Sequence, residues 1–560
     1  MKLVPLFPDP ETIAARNRWR RRARLAMIAA GLLVCLAGGA LLAIRELWPQ
    51  TRIQFDTSAL AHVQVARLGE SVAAARVVDS SGRTVAVTDR AGTIEPVGKV
   101  APGTRLTVSA TVHRSKWIGW LVGATEQVKA VTRAPASFLR THLVHPAAGK
   151  PVRIRFSAPV RALSVTHPDG THATLTFRQP RRRVPIGVLS SGSTAAGTVL
   201  VAAVARSWEK LPEPQRVTWF PAGPDPQVLV RPAPKTSIVP SGPIVLTFSR
   251  PIAAVLGDER PALRPKTPGA WREPNDHTLV FDPSGLGYPL GKSVHVVFPR
   301  AIQVVVGSDP AAVRTLTWNV PGGSTTRLKE LLADLGYLPF TWTPAGSAVP
   351  LTLGAQAGAA VDPPMGTLTW RYAKTPTALK ALWNSPSQRP VLIRGAIMAF
   401  ESQHGMPLYP YATRALWRAL LRDEVAGRRA ASGYSYVFVT ESLPETLTLW
   451  HNGHVVLRTA VNTGISSRPT ALGTFPVYLH LTETTMQGTN PDGTHYDDPG
   501  VPWVNYFHGG DAVHGFIRPG YGYPQSLGCV EAPITTAGQI FPYVNVGTLV
   551  TVAPATATAT

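Results

Sequence analysis

Ala512–Pro533 reads AVHGFIRPGYGYPQSLGCVEAP. Two groups in it carry chemistry: His514-Gly515 near its start and Ser526-Leu527-Gly528-Cys529-Val530 near its end, with His514 and Cys529 15 residues apart. A thiol is a useful nucleophile at neutral pH only beside a base or a positive field that draws off its proton. An imidazole at hydrogen-bonding distance takes that proton and later returns it. Two adjacent β segments joined by a loop would set His514 beside Cys529. Glycines next to both residues let the backbone approach a substrate closely. The amides of Gly528 and Cys529 are candidates for an oxyanion hole.

Chain order tests other cysteine chemistries. Papain-like enzymes and related wall amidases place the Cys before the His, and no His follows Cys529. Sortase-like transpeptidases need an Arg shortly after the Cys, and neither Arg nor Lys follows Cys529. A zinc site is also poorly supported, because Cys529 has no CxxC or HExxH partner. His495, Asp497 and His508 read as polar residues of loops.

The surrounding residues 433–553 are rich in Val, Thr, Tyr, Phe and Gly, and a β-rich unit is expected there. Asn452-Gly453 between Leu447-Thr448-Leu449-Trp450 and Val455-Val456-Leu457 is a strong hairpin signal. Ala512–Pro533 resembles the signature of the YkuD-type L,D-transpeptidase family: His-Gly, a short loop, then Ser-His-Gly-Cys and an apolar residue. Asn462-Thr463-Gly464 and Pro469-Thr470-Ala471-Leu472-Gly473-Thr474-Phe475 resemble the same family's strand and turn before the site.

The resemblance implies Cys529 as nucleophile and His514 as base and acid, with its other ring nitrogen held by the carbonyl of Gly515. It also implies that Ser526 and Gly528 shape the site. Two positions depart from the family pattern: Leu527 stands where His is common, and Glu531 where Arg or Asn is common. Arg518 is a candidate for the missing positive charge. Trp503, Tyr506, Phe507, Tyr521 and Tyr523 are candidates either for a substrate groove or for the core.

The implied reaction is acyl transfer without metal or organic cofactor. The Cys529 thiolate attacks the carbonyl of the third residue of a peptidoglycan stem tetrapeptide and expels D-alanine. The side-chain amine of a second stem then opens the thioester, giving a 3→3 cross-link. In this family carbapenems typically acylate the nucleophile, so β-lactam acylation is expected. Two alternatives stay open: a non-catalytic peptidoglycan-binding wall scaffold, motivated by Leu527 and Glu531, and an L,D-carboxypeptidase or amino-acid exchange enzyme, which would share the acyl-enzyme.

Upstream, the period changes. Leu328, Leu331, Leu332 and Leu335 fall at helical spacing, closed by Gly336. Ile393, Ile397 and Phe400 mark a second helix closed by Gly405, and Thr413 is a candidate N-cap of a third. With Ala399-Phe400-Glu401-Ser402-Gln403-His404-Gly405, residues 324–425 resemble a three-helix peptidoglycan-binding domain, interrupted by an insertion over about Phe340–Pro390.

Residues 51–322 read as short strands and turns, expected as three immunoglobulin-like β-sandwich spacers at 51–133, 134–224 and 225–322. A weak repeat, Pro151–Val160 against Pro243–Ile252, pairs a strand with a turn at Ser-x-Pro. Each copy leads to a Trp strand, Val217–Phe220 and Leu316–Asn319. The fold class expected for the whole is therefore mostly β, with one small helical domain.

Leu25–Ile44 is 20 residues without charge, long enough for a transmembrane helix. Arg16, Arg18, Arg20, Arg21, Arg22 and Arg24 precede it, so the positive-inside rule places residues 1–24 in the cytoplasm and residues 50–560 outside. A cleaved signal peptide and a lipoprotein Cys35 are the rival readings. Cys35 and Cys529 are the two cysteines, too differently placed to pair. The formal charge is +23, yet residues 433–560 hold three basic residues against eight acids. The basic surplus of the preceding chain suits anionic lipid or wall polymer. No basic-aromatic motif points to nucleic acid. The tail Ala553–Thr560 is low in complexity.

Overall fold

The computed structural model describes residues 10–47, 50–55, 58–65, 70–146, 150–186, 196–220, 223, 225–306 and 309–555. Residues 1–9 of the basic tail and 556–560 of the C-terminal run lie outside them. The fold is mostly β, with 42% strand against 21% helix. The chain divides into two compact units, Met1–Pro224 and Asp225–Thr560.

In the first unit a helix runs from Pro10 to Leu47. Its stretch Arg21–Leu47 is long and apolar enough to cross a membrane, and none of it is buried. Cys35 is exposed on it. Two four-stranded sheets follow. In Arg105–His113 every second residue is buried. Leu106, Val108, Ala110 and Val112 thereby meet Ala61, Val63 and Ile94 of the other sheet.

A five-stranded sheet comes next, with Gly197–Val204 at its centre and Val152–Thr166 beside it. Here the expected turn at Ser157-Ala158-Pro159 is absent. The strand runs through it with register shifts between Arg155 and Ala162, a bulge that bends the strand instead of ending it. In the other copy of the repeat the turn is present: Ile244–Phe248 stops, and helix Ile252–Leu256 follows.

The second unit opens with a seven-stranded sheet whose first strand is Gln227–Arg231 and whose last is Asp309–Asn319. Helices Thr325–Asp334, Arg389–Gln403 and Arg414–Ala426 occupy the three expected places. Thr413 caps the last of them, its side chain accepting from the Leu416 N–H. The segment read as an insertion is not a loop. It carries the hairpin Phe340–Pro344/Gly366–Trp370 and two further helices, Leu353–Val361 and Thr377–Asn384. Ala357, Ala360, Leu379 and Leu382 from it join the same core as Leu331 and Phe400.

Two sheets make up the C-terminal part. The first has the order His454–Ala460, Thr446–His451, Ser435–Thr440, Leu549–Ala553, Gly473–Pro476. The Asn452-Gly453 turn closes its hairpin, with both residues at positive φ, 46° and 95°. The second sheet has the order Leu479–Thr489, His495–His508, Asp511–Gly515, Val530–Ala532, and its last pair is parallel.

The first sheet is buried on both faces. Val437, Val439, Val550 and Val552 point into the core between the two sheets. Tyr436, Phe438, Leu549 and Trp450 point into the core of the helical segment. That double burial explains why Ser435–Thr440 is buried at every position and reads as a continuous apolar run.

The helical segment and the sheet meet most closely at two glycines. Gly547 has φ +91°, and a Cβ there would lie 2.3 Å from the Gly395 carbonyl oxygen and 2.6 Å from the Ala399 amide. Both obstacles are backbone, so neither can swing away. Gly547→Ala is therefore expected to lower unfolding stability by about 1–3 kcal/mol, measured as a reduced urea midpoint.

Candidate active site

His514 stands on the central strand Asp511–Gly515 of the four-stranded sheet, between His495–His508 and Val530–Ala532. In the parallel pair Val513 faces Val530 and His514 faces Glu531. Side chains alternate across a strand. Val513, Val530 and Ala532 fill the core between the sheets. Ala512 packs on the other side, in a cluster with Val504, Tyr506, Phe516 and Cys529. His514 alternates with Val513 and so shares the face of Ala512 and Cys529.

The imidazole is buried, 2% exposed. Its Nδ1 lies 3.0 Å from the Gly515 carbonyl oxygen, which only accepts, so Nδ1 carries the proton and Nε2 is the bare lone pair. The Phe516 ring stands edge-on to it, with centroids 5.9 Å apart. Burial holds the His514 pKa below its ordinary 6.5, and Arg518 adds to that; the Gly515 carbonyl and Glu531 act in the opposite sense.

The Cys529 thiol is half-buried. Its Sγ lies 3.7 Å from the Gly510 carbonyl oxygen, and among the described residues no hydrogen bond joins it to His514. Burial pushes the thiol up to about 12; Glu531 and Asp511 add to the rise, and the Ala512 N–H opposes it. The pair is therefore neutral at pH 7: thiol and free imidazole, held on one face.

The loop before Cys529 is pinned from two sides. Ser526, 1% exposed, donates to the Cys529 carbonyl at 2.6 Å and accepts from the Gly528 N–H at 3.2 Å. The Gly528 amide thus serves the loop itself and does not stand open as an oxyanion donor. Gly528 has φ +120°, and a Cβ there would lie 2.5 Å from Asp511 Oδ1. On the other side, the Ser526 N–H donates to Thr463 O and the Ile465 N–H to Ser526 O. Asn462 and Glu531 exchange backbone hydrogen bonds, both 2.9 Å.

Arg518 is held in an ion pair. Its Nε and Nη2 donate to the two Glu531 carboxylate oxygens, each at 2.7 Å, and its guanidinium lies 4.8 Å from the Phe516 ring centre. The positive charge missing from position 531 is therefore restored beside it, as one half of an ion pair. Tyr506 packs in the cluster that holds Cys529. Tyr523 is exposed and lies against Gly520. Phe507 is in the core between the sheets, and Trp503, at φ +61°, packs on Phe541. The Tyr521 hydroxyl donates to Phe516 O at 2.5 Å, tying down the intervening turn.

Three neighbours escaped sequence reasoning. Tyr496, on the long hairpin Leu479–Thr489/His495–His508, is coupled electrostatically to Cys529; burial first and then Cys529 raise its pKa, as they do for Tyr506. Asp498, from the same hairpin, acts electrostatically on both His514 and Arg518. Asp511 supports Gly528, pairs with His508 at 3.4 Å, and accepts from the Ala471 N–H. None stands in the His-Gly or Ser-x-Gly-Cys motif; strand pairing brings in Tyr496 and Asp498, and Asp511 opens the strand that carries His514. His495 and Asp497 make cross-strand contacts to Thr489 and Gln487. Among the described residues no three His, Cys, Asp or Glu side chains gather as a metal site.

Gly528→Ala is expected to leave the fold intact and displace the Cys529 backbone. Misplacement on that scale costs reactivity about a hundredfold, read as the rate of Cys529 acylation by a carbapenem, located by peptide mass spectrometry.

The family model described as the L,D-transpeptidase catalytic domain, YkuD, matches residues 435–552. The chain is similar to the catalytic domain of the E. faecium L,D-transpeptidase, at 29% identity over 21% of this chain and 96% of that one, with a TM-score of 0.20. It is also similar to an L,D-transpeptidase from Mycobacterium smegmatis, at 14% identity over 58% of this chain and 99% of that one, with a TM-score of 0.19. The L,D-transpeptidase LdtMt1 in complex with imipenem gives 14% identity over 59% and 100%, with a TM-score of 0.19. No curated protein matches the chain. Over residues 435–552 the chain carries an L,D-transpeptidase catalytic domain of the YkuD family.

Proposed function

We propose that the chain is a membrane-anchored enzyme that makes 3→3 cross-links in peptidoglycan through a thioester on Cys529. The observation that carries this reading is the placement of His514 and Cys529 on one face of adjacent segments, with the His514 proton fixed on Nδ1 by Gly515. Nε2 is then the acceptor. As the donor stem docks, the thiol leaves the Gly510 carbonyl and passes its proton to Nε2. Sulfur attacks the carbonyl of the third stem residue, and the imidazolium returns the proton to the departing D-alanine amine. The acceptor stem's amine opens the thioester, passing its own proton to Nε2 and regenerating the thiol. A carbapenem amide is an acyl donor of the same kind, and acylation of Cys529 by it belongs to this reading.

Helix Pro10–Leu47 would hold the chain in the cytoplasmic membrane with its arginines inside, and the β modules would act as spacers. The helical segment would engage peptidoglycan, in keeping with its sequence resemblance.

The test incubates the full chain with stem tetrapeptides and follows D-alanine release and cross-linked dimer by mass spectrometry. Wild type gives both, and Cys529→Ala gives neither. Release without dimer would mean carboxypeptidase or exchange chemistry. Activity in Cys529→Ala would sink the thioester.

The pH profile adds an independent check. A lowered His514 pKa keeps Nε2 free through pH 6.5 and loses it only as pH falls further. The acid limb of Cys529 acylation by a carbapenem is therefore expected below pH 6.5. His514→Gln should remove that limb and slow acylation by roughly 10²–10⁴. An acid limb above the ordinary imidazole value would contradict the neutral-base role.

A further inference from the structure

Helix Arg414–Ala426 carries Arg414, Arg418 and Arg422 four residues apart. At 1.5 Å rise per residue they stand on one face at intervals of about 6 Å. All three are exposed. They line a cavity of about 390 Å³ between this helix and the seven-stranded sheet module, with exposed Lys266 on its other side. Trp417 and Tyr288 form part of its wall. Tyr288 is 1% exposed, and its hydroxyl has no hydrogen-bond partner.

A second cavity of about 550 Å³ shares Arg414 and Arg418 and adds Tyr409 and Tyr411. Those rings are exposed, with centroids 5.6 Å apart. No Asp or Glu lines either cavity.

Among the described residues none of the four cations has a hydrogen bond or ion pair. Arg428 and Arg429, just past the same helix, do pair, with Asp423 and Glu424. Like charges four residues apart on a helix repel by a few tenths of a kcal/mol each. A bound anion would turn that repulsion into attraction.

The composition of the walls narrows the ligand. Guanidinium groups grip carboxylate or phosphate in two-pronged fashion. Exposed tyrosine faces offer apolar surface to sugar rings. Two cavities strung along one arginine row suit a linear chain better than a small anion.

We propose that this helix and the Lys266 loop bind an anionic glycan, a sugar polymer bearing a phosphate or carboxylate on its repeat. The site stands apart from the acyl-transfer chemistry and does not depend on it.

The test measures binding of the full chain, in detergent micelles at about 150 mM salt, to four labelled polymers. These are polygalacturonate, phosphomannan, neutral dextran, and inorganic polyphosphate. Binding to at least one of the two anionic glycans and not to dextran is expected; which of the two binds more tightly assigns the anion. The triple variant R414Q/R418Q/R422Q should weaken that binding roughly tenfold or more. R178Q/R182Q/R183Q, which removes the same charge from exposed positions of strand His172–Ile186, should leave it within about twofold. Tyr409→Ala with Tyr411→Ala should weaken glycan binding several-fold and leave polyphosphate unaffected. Carbapenem acylation of Cys529 should proceed unchanged in the arginine triple, which separates loss of the glycan site from loss of fold or chemistry.

Three results would overturn the proposal: neither anionic glycan binds, the control triple weakens binding as much as the site triple, or polyphosphate matches the glycans and the tyrosines make no difference.

Discussion

The parallel pairing of Asp511–Gly515 with Val530–Ala532 is the constraint on which the site rests. It decides which face each side chain takes. Val513 and Val530 go to the core between the sheets, and His514 goes with Cys529 to the other side. A slip of one residue would exchange those faces and bury the sulfur's segment in the wrong layer. The register is held from outside the pair as well. Asn462 exchanges backbone hydrogen bonds with Glu531, and its side chain accepts from the Gly522 N–H and donates to Gly520 O. Glu445, buried beneath, accepts from both the N–H and hydroxyl of Thr463. The segment around residue 463 is thus the template against which the Cys529 loop is cast.

That geometry sets the electrostatics. A buried imidazole and a half-buried thiol both favour their uncharged forms, so the resting site stores no ion pair between them. The charge nearby is instead carried by Arg518 and Glu531, locked in a two-pronged bond beside His514 in strand register. Glu531 pulls the imidazole pKa up and Arg518 pulls it down. The two act in opposite senses, and burial is the largest influence. A carboxylate at position 531 alone would favour imidazolium and disfavour thiolate. With Arg518 bound to it, the departure from the family pattern is locally neutralised.

What the sequence disclosed, and what it did not, follows from the range of each interaction. Asn452-Gly453, the Thr413 cap and the leucine stripe from Leu328 to Leu335 are decided within a few residues, and each takes the expected form. The His514–Gly515 contact is equally local. The Ser-x-Pro repeat misled at Pro159, because a bulge can absorb a proline that elsewhere ends the strand. The stretch 340–390 hid its helices, since Leu353–Val361 is mostly Ala and Gly and is buried by neighbours more than by its own pattern. Tyr496 and Asp498 reach the site through pairing across a long hairpin, which no local motif encodes.

The family match begins at residue 435, but the folding unit does not. The sheet that supports the catalytic strands has two apolar faces, and only one is covered by the four-stranded sheet. Tyr436, Phe438, Trp450 and Leu549 on the other are covered by the helices of 325–426. Burying each such side chain is worth about 1.5–3 kcal/mol, a large sum beside the net stability of a typical domain. The helical segment is therefore first a structural half of the catalytic unit, whatever else it binds. Its inner side is fixed by that duty. Its outer side, where Arg414, Arg418 and Arg422 stand exposed, is free to take on a ligand without disturbing His514 and Cys529.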